Sequence, residues 1–408
     1  MTTGLTRFYR RAGIPVLLAA LISLPWLLYG AQQVVSHNYN DVTEWLPDDN
    51  PATTDLLWFV EHFGGDDRDE SLPHYYGRWG TEENRARIDA IRAGSITDKM
   101  PMTEAAEVED DAYRDGRNTT SAIRTLGRAV DSGQPFFLAV GYSAPHSPFT
   151  APKKYWDFYD PAALSLDDVR DQSLDMPEAN FLTDADETTF YEVPGIRADG
   201  SVPLETARHL RHGYLASVSY MDAQIGRLLD ALDAQGVADE TLVVLWSDHG
   251  FHLGERAHWG KRTLYDLDVR APLIVARPAV TSGRVASGLV ESRDIFPTLC
   301  EWAELEKPDY LEGESFADLL REPKTPGKDA VYFRAPRPAP LPSGQAVRTA
   351  THTYAEWIDP QGQTVLRQLI AHGGDGSMEI TTLHPGEKSP LIESLAQCLR
   401  PAPPLHEE

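Results

Sequence analysis

Short, unbroken apolar runs separated by helical stretches constrain the fold of this chain more than any other feature. Three stand out: Pro135-Phe136-Phe137-Leu138-Ala139-Val140-Gly141, Thr241-Leu242-Val243-Val244-Leu245-Trp246 and Pro272-Leu273-Ile274-Val275-Ala276. An apolar run without polar alternation predicts a strand covered on both faces, as in a parallel sheet. Before the first run, and after the polar turn Asp110–Gly116, Ile123, Leu126 and Val130 recur at helical spacing. Between the first and second runs, Leu210, Tyr214, Val218, Met221, Ile225, Leu228 and Leu232 share one face of a longer helix, with Gly236 near its end. Strands alternating with helices predict an α/β fold: a mainly parallel central sheet flanked by helices.

Other stretches have a different character. Residues Lys153–Glu205 are rich in Pro, Asp and turn formers, and predict a long surface excursion. Two Pro/Gly-containing segments, Glu322–Gly327 and Ala335–Gly344, break the chain. Beyond them, Ala346–Ile358 and Thr364–Ala371 flank Asp359-Pro360-Gln361-Gly362, a hairpin pattern within a small C-terminal α+β subdomain. The expected organisation is a membrane anchor over residues 1–35, an exported segment over 36–75, a partial α/β domain over 76–330, the C-terminal subdomain over 331–400 and a frayed tail over 401–408.

Residues Ala12–Ala31 carry no charge and follow Arg7, Arg10 and Arg11. About 20 apolar residues cross a bilayer as a helix, and the basic flank keeps the N-terminus in the cytoplasm. An uncleaved transmembrane helix is expected, with the main domain exported to the periplasm or the extracellular space. A cleaved signal peptide is the alternative, although Tyr29 is a poor residue three positions before a cut at Ala31. With 37 Lys and Arg against 62 Asp and Glu, the formal net charge is -25. That sign disfavours nucleic acid as a partner and requires any anion site to be a local basic pocket. Two cysteines, Cys300 and Cys398, make neither a disulfide framework nor a zinc cluster. Cys300 lies in a helical pattern and reads as a core thiol. Nothing in the sequence fixes an oligomeric state.

The strongest chemical signal is Ser247-Asp248-His249-Gly250-Phe251-His252-Leu253-Gly254-Glu255, followed by Trp259-Gly260-Lys261. Asp248 and His249 come directly after a strand, where open α/β sheets collect ligands. A carboxylate there can take a hard divalent cation. Lys261 supplies a positive charge for an anionic oxygen. Taken bare, an Asp-His-Gly triplet is more often a polar turn than a metal site.

The full run resembles the second signature of the sulfatases, within the alkaline-phosphatase-like superfamily, and is most similar to the iduronate-sulfatase-like branch. Phe136–Gly141 leading into Pro145-His146-Ser147-Pro148-Phe149 is similar to that family's strand and active-site histidine. Tyr214–Gly226, with Tyr220-Met221-Asp222, resembles the helix before the metal strand, and Arg270–Ile274 the strand after it. Asp294–Leu299, Leu311–Ser315, Arg348-Thr349 and Tyr354–Trp357 extend the resemblance over residues 76–392. It implies a Ca2+ site at Asp248 and His249, with Asp248 as the direct ligand and His249 facing the substrate. It implies that His146 binds a sulfate oxygen or protonates the leaving group, and that Lys261 neutralises charge developing on the ester. The implied ligand is a sulfated small molecule or sugar. His252 and His258 match no required position and read as supporting or surface residues.

The pattern also fails in one place. The family's nucleophile is formylglycine, made from the first residue of Cys/Ser-x-Pro-x-Arg, and no such motif occurs here. Asp66-Asp67 imitates the family's early metal pair, but Glu61, His62, Gly64 and Gly65 before it suit a buried strand poorly. Asn40–Pro51 and Phe63–Asp67 instead resemble the first exported loop of RND-type permeases, a likeness confined to residues 1–67. The expectation is therefore a truncated sulfatase-family hydrolase of sulfate esters lacking its own formylglycine source. The alternatives are a membrane-tethered inactive relative that binds an anionic ligand, and a fusion or frame artefact joining a permease N-terminus to a sulfatase fragment.

Overall fold

The computed structural model describes residues 78–94, 99–170, 191–195, 202–261, 263–277, 283–337, 341–373, 378–384 and 386–399. The elements below belong to one unit, Asp67–Gln134 with Leu138–Glu408. The apolar segment Ala12–Ala31, the permease-like segment, Asp66-Asp67 and the tail 401–408 lie outside the described residues. Among the described residues no helix is long and apolar enough to cross a membrane.

Helix α1 (Glu82–Arg92) starts at Thr81, whose hydroxyl accepts from Asn84 N at 3.3 Å. Strands β1 (Met100–Pro101) and β2 (Thr103–Ala106) follow. The buried Glu104 of β2 gathers Thr81 Oγ1 at 2.7 Å, Asn84 Nδ2 at 2.6 Å and the Tyr113 hydroxyl at 2.7 Å. One satisfied carboxylate thus ties α1 to β2 and to the start of the next helix. That helix, α2 (Arg114–Asp131), contains the predicted Ile123, Leu126 and Val130, but its buried face is Asp115, Thr119, Ala122 and Leu126. A polar residue on a buried stripe signals a task beyond packing.

Strand β3 (Phe149–Pro152) pairs parallel with β2, Thr103 opposite Phe149 through Ala106 opposite Pro152. Strand β4 (Tyr191–Glu192) pairs parallel with β1. Helix α3 (Leu204–Ala234) covers the long amphipathic pattern, and Gly236 follows it with φ +72°. Its most buried face is not the large apolar one. Ala207, Leu210, Gly213, Ala216, Ser217, Tyr220 and Gln224 are buried, whereas Tyr214, Val218, Met221, Ile225 and Leu228 are only half-buried. Small residues permit close approach to the β2–β3 pair. A Cβ at Gly213 would stand 2.8 Å from the Trp156 ring and 3.1 Å from Phe149 Cβ.

Strands β5 (Val243–Trp246) and β8 (Leu273–Ala276) correct the expected parallel sheet. They pair antiparallel, Val243 opposite Ala276 and Trp246 opposite Leu273. They are not covered on both faces either: Trp246 is 49% and Ile274 59% exposed. Among the described residues the run Pro135–Gly141 pairs with no strand. Apolar content announces a demand for burial; it carries no information on strand direction, which the connection decides. Here the connection, residues 247–272, folds back through β6 (His252–Leu253) and β7 (Trp259–Gly260), themselves an antiparallel pair. Helix α4 (Ile295–Trp302) buries Cys300, as expected.

The C-terminal subdomain is a five-stranded antiparallel sheet in the order β13-β12-β11-β10-β9. Its strands are β9 (Val331–Ala335), β10 (Ser343–Arg348), β11 (His352–Ile358), β12 (Thr364–His372) and β13 (Met378–Thr382). The stretch Ala346–Ile358 is thus two strands rather than one. The expected hairpin joins β11 to β12: Asp359 Oδ1 accepts from Gln361 N and Gln363 N, and Gly362 adopts φ +81°. Helix α5 (Pro390–Cys398), capped by Ser389, packs Ile392 and Leu395 on Val347 and Tyr354.

Candidate functional site

The site grows from the end of β5. Ser247 N donates to Pro272 O at 3.2 Å, the last rung of the β5–β8 ladder, and Asp248 and His249 emerge beyond it. Ser247 Oγ donates to His249 O at 2.8 Å, and Asp248 Oδ1 accepts from His249 N at 2.9 Å. Gly250 then passes against the backbone of Leu267; a Cβ would stand 1.9 Å from Leu267 O. No side chain fits there. Gly250 N donates to Asp268 O at 2.6 Å.

The β6–β7 hairpin returns the chain to the same place and presents Lys261. Lys261 Nζ lies 2.9 Å from His249 Nε2. His249 Nε2 is also 3.3 Å from Asp248 Oδ2, and its Nδ1 is 2.7 Å from Gly250 O. Asp268 holds the two halves in register. Its carboxylate accepts from His252 Nδ1 at 2.7 Å and from Thr263 N at 2.6 Å, so it binds segments on both sides of Lys261. Burial alone would raise the Asp268 pKa; the hydrogen bonds of His252 and Thr263 outweigh it and hold the carboxyl below its ordinary value.

His146 arrives from a separate loop. Asp115, buried in the first turn of α2, accepts from Ser143 N at 3.0 Å and Ala144 N at 2.7 Å, and so fixes the backbone two residues before His146. Burial raises the Asp115 pKa against those hydrogen bonds. His146 Nδ1 is 2.8 Å from Ser147 O and 3.3 Å from Arg78 Nη1. If Nδ1 carries the proton toward that carbonyl, Nε2 is left as the acceptor. Desolvation lowers the His146 pKa, and the positive charges of Arg78, Lys261 and His249 lower it further.

Of the four residues expected from sequence, Asp248, His249 and Lys261 are in direct contact, and His146 stands on its own loop beside Arg78. Together with Arg78 they form a cationic cluster on an acidic protein, suited to a small anion. Asp248 is 82% exposed and is one carboxylate, where Ca2+ takes six to eight oxygens. Among the described residues no group of three potential ligands forms around it. On their own these residues do not make a calcium site, and no chemical step can be assigned to a metal there.

Two residues read as supporting or surface groups need correction. His252 and His258 are buried, with their ring centroids 4.7 Å apart, and they gather with the buried Asp268. Sequence reasoning also missed Arg78, Asp115 and Asp268. The signal for Asp115 was present: an acid in the Asp115, Thr119, Ala122, Leu126 stripe.

A family model described as Sulfatase matches residues 29–305 of this chain, a range that runs through the segment 36–75. Iduronate 2-sulfatase of Homo sapiens is 29% identical over 350 residues, covering 71% of this chain and 64% of that protein. The Mus musculus counterpart is 30% identical over 350 residues, covering 71% of this chain and 63% of its own length. The chain thus spans less than two thirds of the length of these curated relatives. Among solved structures, the phosphonate monoester hydrolase of Agrobacterium radiobacter superposes with a TM-score of 0.54 at 22% identity, covering 74% of this chain and 63% of that chain.

Proposed function

Because the chain belongs to the sulfatase family, with the alkaline-phosphatase-like α/β fold, we propose that its site binds the sulfate group of an organic ester and serves its hydrolysis. The observation that carries this reading is the 2.9 Å approach of Lys261 Nζ to His249 Nε2 at the end of β5, with His146 within reach of both charges. A sulfate monoanion placed there meets preorganised donors rather than mobile water. Lys261 binds a sulfate oxygen, and His249, whose Nε2 accepts from Lys261 Nζ, holds that ammonium in place. His146 faces the ester oxygen. Its lowered pKa leaves it neutral before binding; an arriving anion favours the imidazolium, so His146 takes up a proton as the ester binds and gives it to the leaving oxygen as a water molecule attacks sulfur, the S–O bond breaks and the water's proton leaves to solvent. Asp248 offers one carboxylate to a divalent cation, too few oxygens to hold it alone. The similarity to iduronate 2-sulfatase supports a sulfated sugar as substrate, and the apolar segment Ala12–Ala31 supports an exported, membrane-tethered domain.

The family's formylglycine does not fit the residues present. The sequence holds no Cys/Ser-x-Pro-x-Arg, and Cys300 is a buried thiol whose pKa burial raises. No step is derived through that group. This observation favours a second reading, a binding protein that takes a sulfated ligand without turnover. The two separate on one preparation of the full chain. Turnover of a chromogenic aryl sulfate, lost in Lys261→Ala, supports hydrolysis. Calorimetric binding of a sulfated sugar with no turnover supports the second reading. Neither binding nor turnover in the wild-type chain would refute both.

A further inference from the structure

Beneath the anion cluster lies a second constellation that sulfate chemistry does not use. His252, His258 and Asp268 are buried, and one donor atom from each lies within 4.8 Å of one from both others. The β6–β7 ladder sets this up: His252 pairs opposite Gly260, so the residues flanking the hairpin turn come together. We propose that His252 and His258, oriented by Asp268, bind one divalent transition-metal ion of the zinc class, at a site separate from Asp248.

Three observations converge. The first is the tautomer. Asp268 Oδ1 lies 2.7 Å from His252 Nδ1, and an ionised carboxylate can only accept, so Nδ1 carries the proton and Nε2 keeps its lone pair. A carboxylate that orients a ligating histidine through its other nitrogen is the usual arrangement behind a metal-bound imidazole. The second is the orphaned atom. His252 Nε2 is buried and has no hydrogen-bond partner among the described residues. A buried lone pair without a donor is costly, and a metal ion would satisfy it. The third is the spacing of the rings. Their centroids are 4.7 Å apart and their planes are at 88°. Two imidazoles on one tetrahedral ion, with metal–nitrogen bonds of about 2.0–2.1 Å, place their centroids about 5 Å apart. The rings already stand at nearly that separation.

The donor set chooses the ion. Two imidazoles with no oxygen cage suit zinc, copper or nickel and not calcium or magnesium. The ion would pin the β6–β7 hairpin to the segment after Lys261, and its binding would be coupled to folding because the donors are buried. It would hold Lys261 against His249 from behind without touching substrate.

The test uses the full chain, stripped with chelator and reloaded with Zn2+. One equivalent should remain after dialysis, and X-ray absorption at the zinc edge should show two imidazole ligands. Asp268→Asn should weaken zinc binding about 10–100-fold, His252→Gln and His258→Gln should abolish the retained equivalent, and Asp248→Ala should leave it unchanged. If a histidine variant fails to melt cooperatively, the absorption spectrum of the wild type decides alone. No retained zinc, an oxygen-only coordination shell, or zinc lost with Asp248→Ala but kept by folded histidine variants would each overturn the proposal.

Discussion

The C-terminal sheet, whose strands mix polar and apolar residues, and the β5–β8 pair, whose strands are apolar runs, stand at opposite ends of burial. In β11 every residue from Thr353 to Trp357 is buried, and each strand of the five has its register fixed by a neighbour. In β5 no residue is buried and Trp246 is 49% exposed, and in β8 Ile274 is 59% exposed. The chemistry sits on the second region. Stability is concentrated where side chains interlock, and the functional residues project from a strand end held by a few hydrogen bonds. The two regions should therefore respond differently to substitution.

The largest effect is expected at Trp357, fully buried and hydrogen-bonded to Gln368 at 3.2 Å. Trp357→Ala should cost about 3–5 kcal/mol in chemical denaturation; a loss under about 1 kcal/mol would mean the C-terminal sheet is not the rigid partner in this comparison. Next is Lys261→Ala, which should lower turnover or anion affinity by about 10²–10³-fold, the scale for one lost charge-stabilising donor, while the melting curve stays close to wild type. An equal fall in stability would show Lys261 to be a structural cation. Asp115→Ala comes third. It leaves Ser143 N and Ala144 N without their acceptor and should cost about 1–3 kcal/mol, together with a loss of anion affinity because the His146 loop shifts. Unchanged affinity would break the link between α2 and the site.

A smaller effect follows from protonation. Burial lowers the pKa of His146 in the site, of His372 in the C-terminal sheet and of His209 on α3. Unfolded imidazoles titrate near 6.5, so below that pH the unfolded chain binds more protons than the folded one. Stability should fall as pH drops through 6.5 and recover as pH rises. His146→Gln and His372→Gln should each remove part of that slope, and a pH-independent midpoint between 5.5 and 7.5 would contradict the shared direction. The smallest effect is expected at Ile274, 59% exposed. Ile274→Ala should change stability by no more than about 0.5 kcal/mol; a loss of several would reveal that its face is covered in solution.

The sequence by itself carried whatever depends on near neighbours along the chain. The helix over Leu204–Ala234, the turn at Asp359–Gly362, the strand before Ser247 and the buried thiol of Cys300 follow from periodicity, turn chemistry and apolar content. The Asp248, His249 and Lys261 group was legible because thirteen positions of β5 end and hairpin hold it. Tertiary structure decided the rest. It set β5 against β8 antiparallel and turned the small-residue face of α3 to the β2–β3 pair. It placed Asp115 under the His146 loop and gathered His252, His258 and Asp268. Strand direction, helix rotation and the meeting of distant polar groups depend on which surfaces approach closely, and close approach is a property of the packed chain that no local pattern encodes.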